Sequence, residues 1–428
     1  MDSGDLLNAK NYILFHLGHT ATADQEQACA QIVDFLYDVS PNATCLLRGY
    51  AGTGKTTLVS ALIRSAKAMG LETVLLAPTG RAAKVLSNYS HRPAFTIHKF
   101  IYLTSTDPSG NVRIVREPNK HSFTLFIIDE ASMIGLNSQS LDTRSTNNLL
   151  DDLADYVASG TNCRMLLVGD AAQLPPVGES QSPALNPDYL RTALSLKMHC
   201  AELKEVVRQK NESQILTAAT LLRAKIRELA DGEPTTMPVF SSPLGGDLER
   251  LEASEMLDVL NREYSNQSEE DVVVICRTNK RANLFNQAIR NRVLFRESEV
   301  DAGDLLMVVR NNYHWLEADS EMGFIANGDI VEVLAVRNHE DIYGFHFVDT
   351  TLRFIDYPDA PTLDCKMLLE TLHSESPNLT ADESRRLYDA IAEDYADLPT
   401  RAERHKAIRS NPYYNALQVK FAYAVTCH

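Results

Sequence analysis

Short continuous apolar runs recur along the first half of the chain, separated by segments in which apolar residues return every three or four positions. The runs include Cys45–Arg48, Leu125–Ile128 and Met165–Val168. The segment Leu58–Met69 has helical spacing and is followed by Gly70, a residue type that commonly ends helices. Buried strands that alternate with helices predict an α/β fold around a parallel sheet.

The second half of the chain carries a different pattern. An apolar run, Asp271–Cys276, precedes a predicted helix over Ala282–Val293, which indicates another α/β unit. Segments with alternating apolar and polar residues follow and predict the short strands of a small barrel. These segments are Ile330–Asn338, Ile342–Thr350 and Thr351–Pro358. Residues 361–410 are charged with helical periodicity, so we expect a helical excursion from the barrel.

Composition and charge describe an ordinary globular chain. Its 428 residues predict about two or three domains, with 44% hydrophobic and 23% charged residues. No apolar run approaches the roughly 20 residues that span a bilayer, and the acidic N-terminus is unlike a signal peptide. Seven scattered cysteines without a CxxC pair are typical of reduced thiols, so we expect a cytoplasmic protein. The net charge of −16 leaves nucleic acid open as a partner, because a local basic track decides phosphate binding.

A phosphate-binding loop follows the first apolar run. The stretch GYAGTGKTT fits the pattern G-x-x-x-x-G-K-[ST], in which glycines let backbone N–H groups surround the phosphates. We expect Lys55 to reach the β- and γ-phosphates and Thr56 to ligate Mg²⁺. A glycine-rich turn before a helix is the alternative, but strand, loop and helix agree here. The residues expected to bind ATP are Gly49, Gly52, Thr53, Gly54, Lys55, Thr56 and Thr57.

Two carboxylates follow the apolar run at Leu125–Ile128. Asp129 and Glu130 would lie at the carboxyl edge of a parallel sheet, downstream of the phosphate loop. In that position Asp129 is expected to hold Mg²⁺ and Glu130 to polarise the attacking water. An Asp-Glu pair alone is usually solvated surface, and its place after a buried strand is what favours a catalytic role.

Further motifs, in order along the chain, narrow the class of ATPase. Gly169–Val177 (GDAAQLPPV) resembles motif III of superfamily 1 helicases, and Thr22–Gln25 resembles their glutamine motif. Leu75–Ala83 resembles motif Ia, Thr96–His98 the element after it, and Glu205–Gln209 (EVVRQ) the arginine motif of the second lobe. Together they resemble the RecD-like 5′-to-3′ DNA helicases of superfamily 1B. These are relatives of the exonuclease V alpha subunit and of phage and mitochondrial 5′-to-3′ helicases.

The resemblance implies a role for each matching residue. Gln25 would read adenine, Gln173 would sense the γ-phosphate, and Arg208 would point at that phosphate from the second lobe, since an arginine stays charged and forks onto phosphate oxygens. Single-stranded DNA would contact Thr79, Thr96, His98, Thr278 and Asn279. The implied partners are single-stranded or forked DNA, with single-strand-binding or recombination proteins as further candidates, and we expect a monomer.

The resemblance also implies a domain plan, with two RecA-like P-loop lobes, a β-hairpin inserted in the first and an SH3-like barrel inserted in the second. Gly303–Tyr313 and Phe324–Asp329 match the family's segment at the barrel. The expected boundaries are 1–205 for the first lobe with the hairpin at about 101–122, 206–300 for the start of the second lobe, 301–410 for the barrel and its helices, and 411–428 for the return to the second lobe.

The sequence leaves two interpretations open for each of three features: the hairpin, a cluster of cationic residues and a cluster of aromatic residues. The hairpin, whose turn is predicted at Asp107–Gly110, is either a pin near the duplex fork or a surface decoration. Arg277, Lys280, Arg281, Arg290 and Arg292 form either a phosphate track or a solvated helix face. Trp315, with Tyr313 and His314, would either stack on bases or anchor a turn, and we favour the anchor.

The last twelve residues, Leu417–His428, are mostly apolar and predict one strand that returns to the second lobe. The chain stops at FAYAVTCH, which resembles the start of motif V. We therefore expect a chain truncated within that motif, one that binds nucleotide but is a poor unwinding enzyme. The parent would act in replication, repair or recombination. Two rivals remain: a RecD-type subunit that works only within a recombination nuclease, and a P-loop ATPase or kinase that does not unwind DNA.

Overall fold

The computed structural model describes residues 3–106, 112–136, 148–205, 213–230, 236, 246–316, 322 and 324–426. The first 205 residues contain α1 (Ser3–His16), α2 (Ala23–Tyr37), β1 (Ala43–Gly49), α3 (Lys55–Ala66), β2 (Glu72–Ala77), α4 (Gly80–Ser90), β3 (Ala94–Thr96), α5 (Ile97–Ile101), β4 (Tyr102–Thr106), β5 (Val112–Arg116), β6 (Thr124–Ile128), α6 (Leu149–Ser159), β7 (Arg164–Gly169), α7 (Pro187–Thr192) and β8 (Lys197–Leu203).

The remaining elements follow in chain order. They are α8 (Gln214–Ala230), α9 (Met256–Asn266), β9 (Val274–Cys276), α10 (Asn279–Ala288), β10 (Leu305–Val308), β11 (Ile330–Ile342), β12 (Phe345–Phe354), β13 (Leu363–Leu368), α11 (Glu370–His373), α12 (Ala381–Asp394), α13 (Arg401–Ser410), β14 (Leu417–Phe421) and β15 (Ala424–Thr426). Among these described residues, no helix is both long enough and apolar enough to cross a membrane.

A six-stranded parallel sheet with the order β3-β2-β6-β7-β1-β8 forms the centre of the first lobe. Every residue of β6 is buried, as expected for a strand covered on both faces. One core packs α1, α2 and α3 against the sheet, and a second packs α5, α6 and α7 against it. The predicted α/β class is confirmed, and the sheet brings the ends of β1, β6 and β7 together.

An antiparallel hairpin of β4 and β5 leaves the first lobe after α5. Its register pairs Tyr102 with Arg116 and Thr106 with Val112. The turn predicted at Asp107–Gly110 lies outside the described residues.

The C-terminal half contains a closed five-stranded barrel, β10-β11-β12-β13-β14. The predicted barrel is present, but the prediction of three short strands over residues 330–358 is wrong, because two long strands, β11 and β12, occupy this segment and are joined at Tyr343 and Gly344. Both residues have positive φ, 58° and 75°, which is the geometry of a two-residue hairpin turn. The helical excursion predicted over 361–410 begins later than predicted, because Leu363–Leu368 is the barrel strand β13. The helices α11, α12 and α13 form the excursion between β13 and β14, and α12 and α13 pack on the barrel through Leu387, Ile391 and Ile408.

A small parallel sheet of β9 and β15 lies beside α10. The segment predicted as one returning strand is divided, because β14 closes the barrel and only β15 reaches β9. Buried Asn286 stabilises this division: its Nδ2 donates to the carbonyl oxygens of Phe421 (3.0 Å) and Ala424 (2.9 Å), and its Oδ1 accepts from the N–H of Ala424 (2.7 Å). The predicted helix continues past α10 only as a π-helical turn, Ile289–Val293.

The first lobe contacts the barrel through α4. Lys84 donates to Asp329 at 2.5 Å, and both side chains are buried. The Lys84 ammonium also lies 4.9 Å from the ring centroid of Tyr357. Gly80 allows the close approach, since a Cβ there would lie 2.7 Å from the Cβ of Ala326 and 2.9 Å from Oδ1 of Asn311. The barrel is therefore fastened to the helix that carries motif Ia.

Candidate functional site

The phosphate loop connects β1 to α3. Gly52 and Gly54 have φ of 80° and 89°, a region that favours glycine, and Gly54 caps α3 without a side-chain hydrogen bond. The first N–H groups of α3 are therefore available to an anion. Thr53 is buried, and its hydroxyl donates to the carbonyl oxygen of Tyr50 at 2.8 Å, which fixes the loop from within.

Lys55 is folded back over this loop. Its ammonium donates to the carbonyl oxygens of Gly49 (2.6 Å) and Tyr50 (3.0 Å) and lies 3.8 Å from Oδ2 of Asp170. Burial lowers the pKa of Lys55, and the carboxylates of Asp170, Glu130 and Asp129 oppose that shift. A phosphate group in the loop would be a further anionic partner and would favour the charged form of this buried lysine.

Gln25 lies directly against the loop. The capping box of α2 positions it: the N–H of Thr22 donates to its Oε1, and the N–H of Gln25 donates to the Thr22 hydroxyl. The residue is fully buried, and its Nε2 has no hydrogen-bond partner within the described structure. A Cβ at Gly54 would lie 2.5 Å from that nitrogen. A buried donor without a partner is costly, and a nucleobase acceptor would satisfy it.

Asp129 and Glu130 follow β6, at the sheet edge that the phosphate loop shares. The Tyr89 hydroxyl donates to Oδ2 of Asp129 at 2.6 Å, while Oδ1 accepts from the N–H of Glu130. Glu130 has a φ of 52°, which turns the chain sharply after the strand. Burial raises the pKa of Glu130, with the charge of Asp129 adding to the shift. A raised pKa suits a group that takes a proton from water.

Gln173 connects Glu130 to motif III. Its side chain is within hydrogen-bond reach of the Glu130 carboxylate, and its Oε1 accepts from the Ser132 hydroxyl at 2.8 Å. Asp170 of the same motif is buried and accepts from the N–H of Ala172. The structure thus brings Lys55, Glu130 and Gln173 together around one pocket edge.

The residues of the first lobe that are predicted to contact single-stranded DNA lie at the N-terminal ends of helices. Thr79 caps α4 by accepting from the N–H of Ala82, and Thr96 caps α5 by accepting from the N–H of Lys99. His98 is half-buried, and burial lowers the pKa of its imidazole. Thr79 and Thr96 follow neighbouring strands, β2 and β3, so both lie at the carboxyl edge of the sheet.

The other residues predicted to contact DNA, Thr278 and Asn279, lie beside the small sheet. Thr278 caps α10, and Oδ1 of Asn279 accepts from the Thr426 hydroxyl at 3.1 Å. Both interpretations of the neighbouring cations, the phosphate track and the solvated helix face, are wrong for Arg290. This arginine is buried and donates two hydrogen bonds to Asp304, at 2.9 and 2.8 Å, so it joins the π-helical turn after α10 to the start of the barrel.

Arg208 lies outside the described residues, so its position relative to the loop stays a prediction. Another arginine does reach the loop. Arg223 of α8 donates to the carbonyl oxygen of Ala51 at 3.4 Å, and its guanidinium carbon lies 5.5 Å from the ring centroid of Tyr50.

Sequence reasoning missed three residues of this site. Asp170 lies inside the motif GDAAQLPPV, and Ser132 lies two residues after Glu130; the sequence did not show that both are buried, next to Lys55 and Gln173 respectively. Tyr89 had no sequence signal, because the turn of α4 that carries it meets Asp129 only in the folded sheet.

Comparisons with known proteins fit this geometry. A family model described as an AAA domain matches residues 20–232. The ATP-dependent RecD2 DNA helicase of Deinococcus radiodurans is 36% identical over 174 residues, which are 41% of this chain and 21% of that protein. The ATP-dependent DNA helicase dda of Enterobacteria phage T4 is 25% identical over 299 residues, 67% of this chain and 62% of that protein. The chain thus spans about a fifth of the first relative and less than two thirds of the second.

Two of the solved structures to which the chain is similar are Pif1 helicases. The Pif1 helicase from Bacteroides in complex with ADP-AlF3 and ssDNA has a TM-score of 0.44 at 18% identity, over 81% of this chain and 74% of that one. The Pif1 helicase from Candida albicans has a TM-score of 0.41 at 14% identity, over 95% of this chain and 86% of that one.

Proposed function

Because the chain belongs to the RecD-like helicases of superfamily 1B, as its motifs predicted, we propose that it is an ATP-dependent DNA helicase or translocase. The observation that carries the proposal is the meeting of Lys55, Glu130 and Gln173 at the edge of one parallel sheet. The same edge carries Thr79 and Thr96, so a strand-binding surface would adjoin the nucleotide.

The nucleotide would be ATP. Its phosphates would enter the loop Gly49–Thr57, facing the free N–H groups of α3 and the Lys55 ammonium. Its adenine would meet the unpartnered Nε2 of Gln25. In the described residues, no group of three or more His, Cys, Asp or Glu side chains could hold a metal ion. Thr56, Asp129 and phosphate oxygens would hold Mg²⁺, as the phosphate-loop and Asp-Glu motifs imply, and the ion would neutralise charge on the phosphates.

Hydrolysis would depend on Glu130. Its carboxylate would accept the proton of the attacking water, and Asp129 and burial keep its pKa raised for that task. Gln173 would orient the Glu130 carboxylate and report the γ-phosphate, since it contacts both Glu130 and Ser132. Arg208 would complete the pocket from the second lobe, as the arginine motif implies.

The DNA would be single-stranded or the tail of a fork, moved in the 5′-to-3′ sense that the family implies. Thr79, Thr96 and His98 would contact it on the first lobe, and Thr278 and Asn279 beside the small sheet. Movement requires only that the ATP and ADP states differ in their affinity for the strand. A monomer would suffice, and replication, repair or recombination would supply such DNA. Free thiols at the six described cysteines fit a cytoplasmic location.

ATPase turnover measured with and without a single-stranded oligonucleotide tests the proposal. We expect stimulation by the strand in the wild-type chain. Lys55→Ala should lose nucleotide binding, whereas Glu130→Gln should keep binding and lose hydrolysis by about 10²–10⁴-fold. Absence of stimulation would favour a P-loop ATPase with another task. Binding to 5′-tailed and 3′-tailed forks then tests polarity, and a preference for 3′ tails would contradict it.

A further inference from the structure

A cavity of about 720 Å³ lies where the first lobe meets the barrel. One wall is the start of α4, Pro78–Gly80, and the facing wall is the segment after β10, Val309–His314. The helical excursion contributes Arg409 from α13. Its volume falls within the roughly 300–1,000 Å³ of ligand-binding pockets. None of the described residues that line it belongs to the nucleotide site.

The chemistry of this cavity departs from that of the whole chain. The chain has 57 Asp and Glu against 41 Lys and Arg, yet no Asp or Glu of its described part lines the cavity. Arg310 and Arg409 do line it; both are exposed, and neither has an ion-pair partner within the described residues. Side-chain amides make up much of the remaining wall: Asn311, Asn312, Asn327, Asn378, Asn415 and Gln418. Unpaired guanidinium groups bind phosphate, and amides bind base edges.

An aromatic side chain stands at the same place. Tyr313 stacks on Phe324 with ring centroids 5.0 Å apart and an interplanar angle of 28°, and about half of Tyr313 is exposed. Asn311 donates to its hydroxyl at 3.3 Å, and Thr96 of the first lobe is within hydrogen-bond reach of the same hydroxyl. The Tyr313 ring is therefore held in place where the barrel meets the first lobe, next to Thr96, which is predicted to contact single-stranded DNA. A fixed, half-exposed ring is a platform on which a base can stack.

We propose that this cavity binds a segment of single-stranded DNA, with phosphates on Arg310 and Arg409 and a base on Tyr313. The proposal rests on the proposed function and extends the strand's path from Thr79 and Thr96 onto the barrel. Four of the wall amides already form hydrogen bonds within the protein: Asn311, Asn312, Asn415 and Gln418. Asn327 and Asn378 would therefore meet the base edges, without a fixed sequence, since an amide carries both a donor and an acceptor. The barrel thereby becomes part of the DNA-binding surface.

Fluorescence anisotropy with a labelled oligo-dT, measured across a salt series, tests the two arginines. Each phosphate that a cationic side chain neutralises on a single strand contributes about 0.7 to the slope of log K against log salt, so R310Q/R409Q should lower that slope by about 1.4. Arg385→Gln is the control: it removes one positive charge from an exposed position of α12 outside the cavity. This variant should leave the slope of log K against log salt unchanged.

Tyr313→Ala tests the stacking platform and should weaken oligo-dT binding roughly 5- to 150-fold, whereas Tyr313→Phe should retain most of the affinity. Binding of fluorescent ADP serves as the folding check, because the phosphate loop is separate from the cavity. For the unmodified chain, photocrosslinking to bromodeoxyuridine-substituted DNA should label the peptide containing Asn311–Trp315.

Failure of the two proposals can be told apart. A wild-type chain that neither binds oligo-dT nor responds to it in ATPase turnover would remove the proposed function. A wild-type chain that binds DNA while R310Q/R409Q and Y313A match it, or one whose crosslinks fall only outside the cavity, would overturn the cavity assignment alone.

Discussion

The ion pair between Lys84 and Asp329 joins the first lobe to the barrel, and its contribution to the free energy of unfolding can be measured with variants of the two residues. The two side chains are 8% and 4% exposed, and the charges meet at 2.5 Å. Burial lowers the pKa of Lys84 even though Asp329 opposes the shift, so desolvation exceeds the attraction between the charges. Removing one partner should therefore cost more than removing both charges.

The two single variants should differ in cost. Lys84→Met leaves the Asp329 carboxylate buried, with the N–H of Ala326 as its one remaining side-chain partner within the described residues, and should lower the free energy of unfolding by about 3–5 kcal/mol. Asp329→Asn leaves an ammonium near the rings of Tyr357, Phe324 and Phe354, which offset part of the loss. We expect this variant to lose roughly 1–3 kcal/mol. The double variant K84M/D329N should lose only about 1–2 kcal/mol, since no unpaired charge remains.

Urea unfolding followed by the fluorescence of Trp315, the single tryptophan, gives these values. Trp315 reports on the junction, because its Nε1 donates to the carbonyl oxygen of Asn415 at 2.7 Å and its ring packs against the barrel core. Arg337→Gln is the control: it breaks an ion pair with Asp364 in which the two side chains are 54% and 75% exposed, so solvent screens the pair and the variant should lose far less stability than K84M. A K84M variant no less stable than R337Q would refute the reasoning.

Three further predictions concern the nucleotide site. Gly54→Ala should abolish ADP binding measured by fluorescence titration, because φ there is 89° and the new Cβ would lie 2.5 Å from Nε2 of Gln25. Tyr89→Phe frees the Asp129 carboxylate and should raise the Mg²⁺ concentration for half-maximal ATPase about 10-fold or more; Tyr102→Phe, which removes an equal 2.6 Å bond to Asp152, should leave it unchanged. Glu130 must be ionised to accept a proton, and burial raises its pKa from the ordinary 4.5, so the acid limb of the ATPase pH profile should lie above pH 4.5; full activity maintained down to that pH would contradict this.

The first lobe was predictable because its information is local. The phosphate loop needs only the order of strand, glycines and helix, and each apolar run of β1, β6 and β7 lies within one segment. Glu130 and Gln173 could be named before their contact was known, since both follow strands whose ends meet at one edge of the sheet.

The second half was less predictable because its structure depends on contacts distant in sequence. The residues next to Arg290 in the sequence do not indicate that it pairs with buried Asp304. A row of cationic residues has the same sequence pattern whether it faces solvent or pairs with a buried carboxylate. Asn286 divides the final segment between the barrel and the small sheet from more than a hundred residues away. Tyr343 and Gly344 lie within an alternating pattern that two strands and their turn share.

Helix α4 connects the three parts of the molecule that the proposals use. At its start, Thr79 and Gly80 line the cavity, and Lys84, one turn on, is fastened to the barrel. At its end, Tyr89 bonds Asp129, and the carbonyl oxygen of Tyr89 accepts from Ser60 of α3. The distance between these ends is about 16 Å along a single rigid helix. A shift of the Asp129 carboxylate on nucleotide binding would therefore reach the barrel through α4, and we expect the barrel to move with the first lobe.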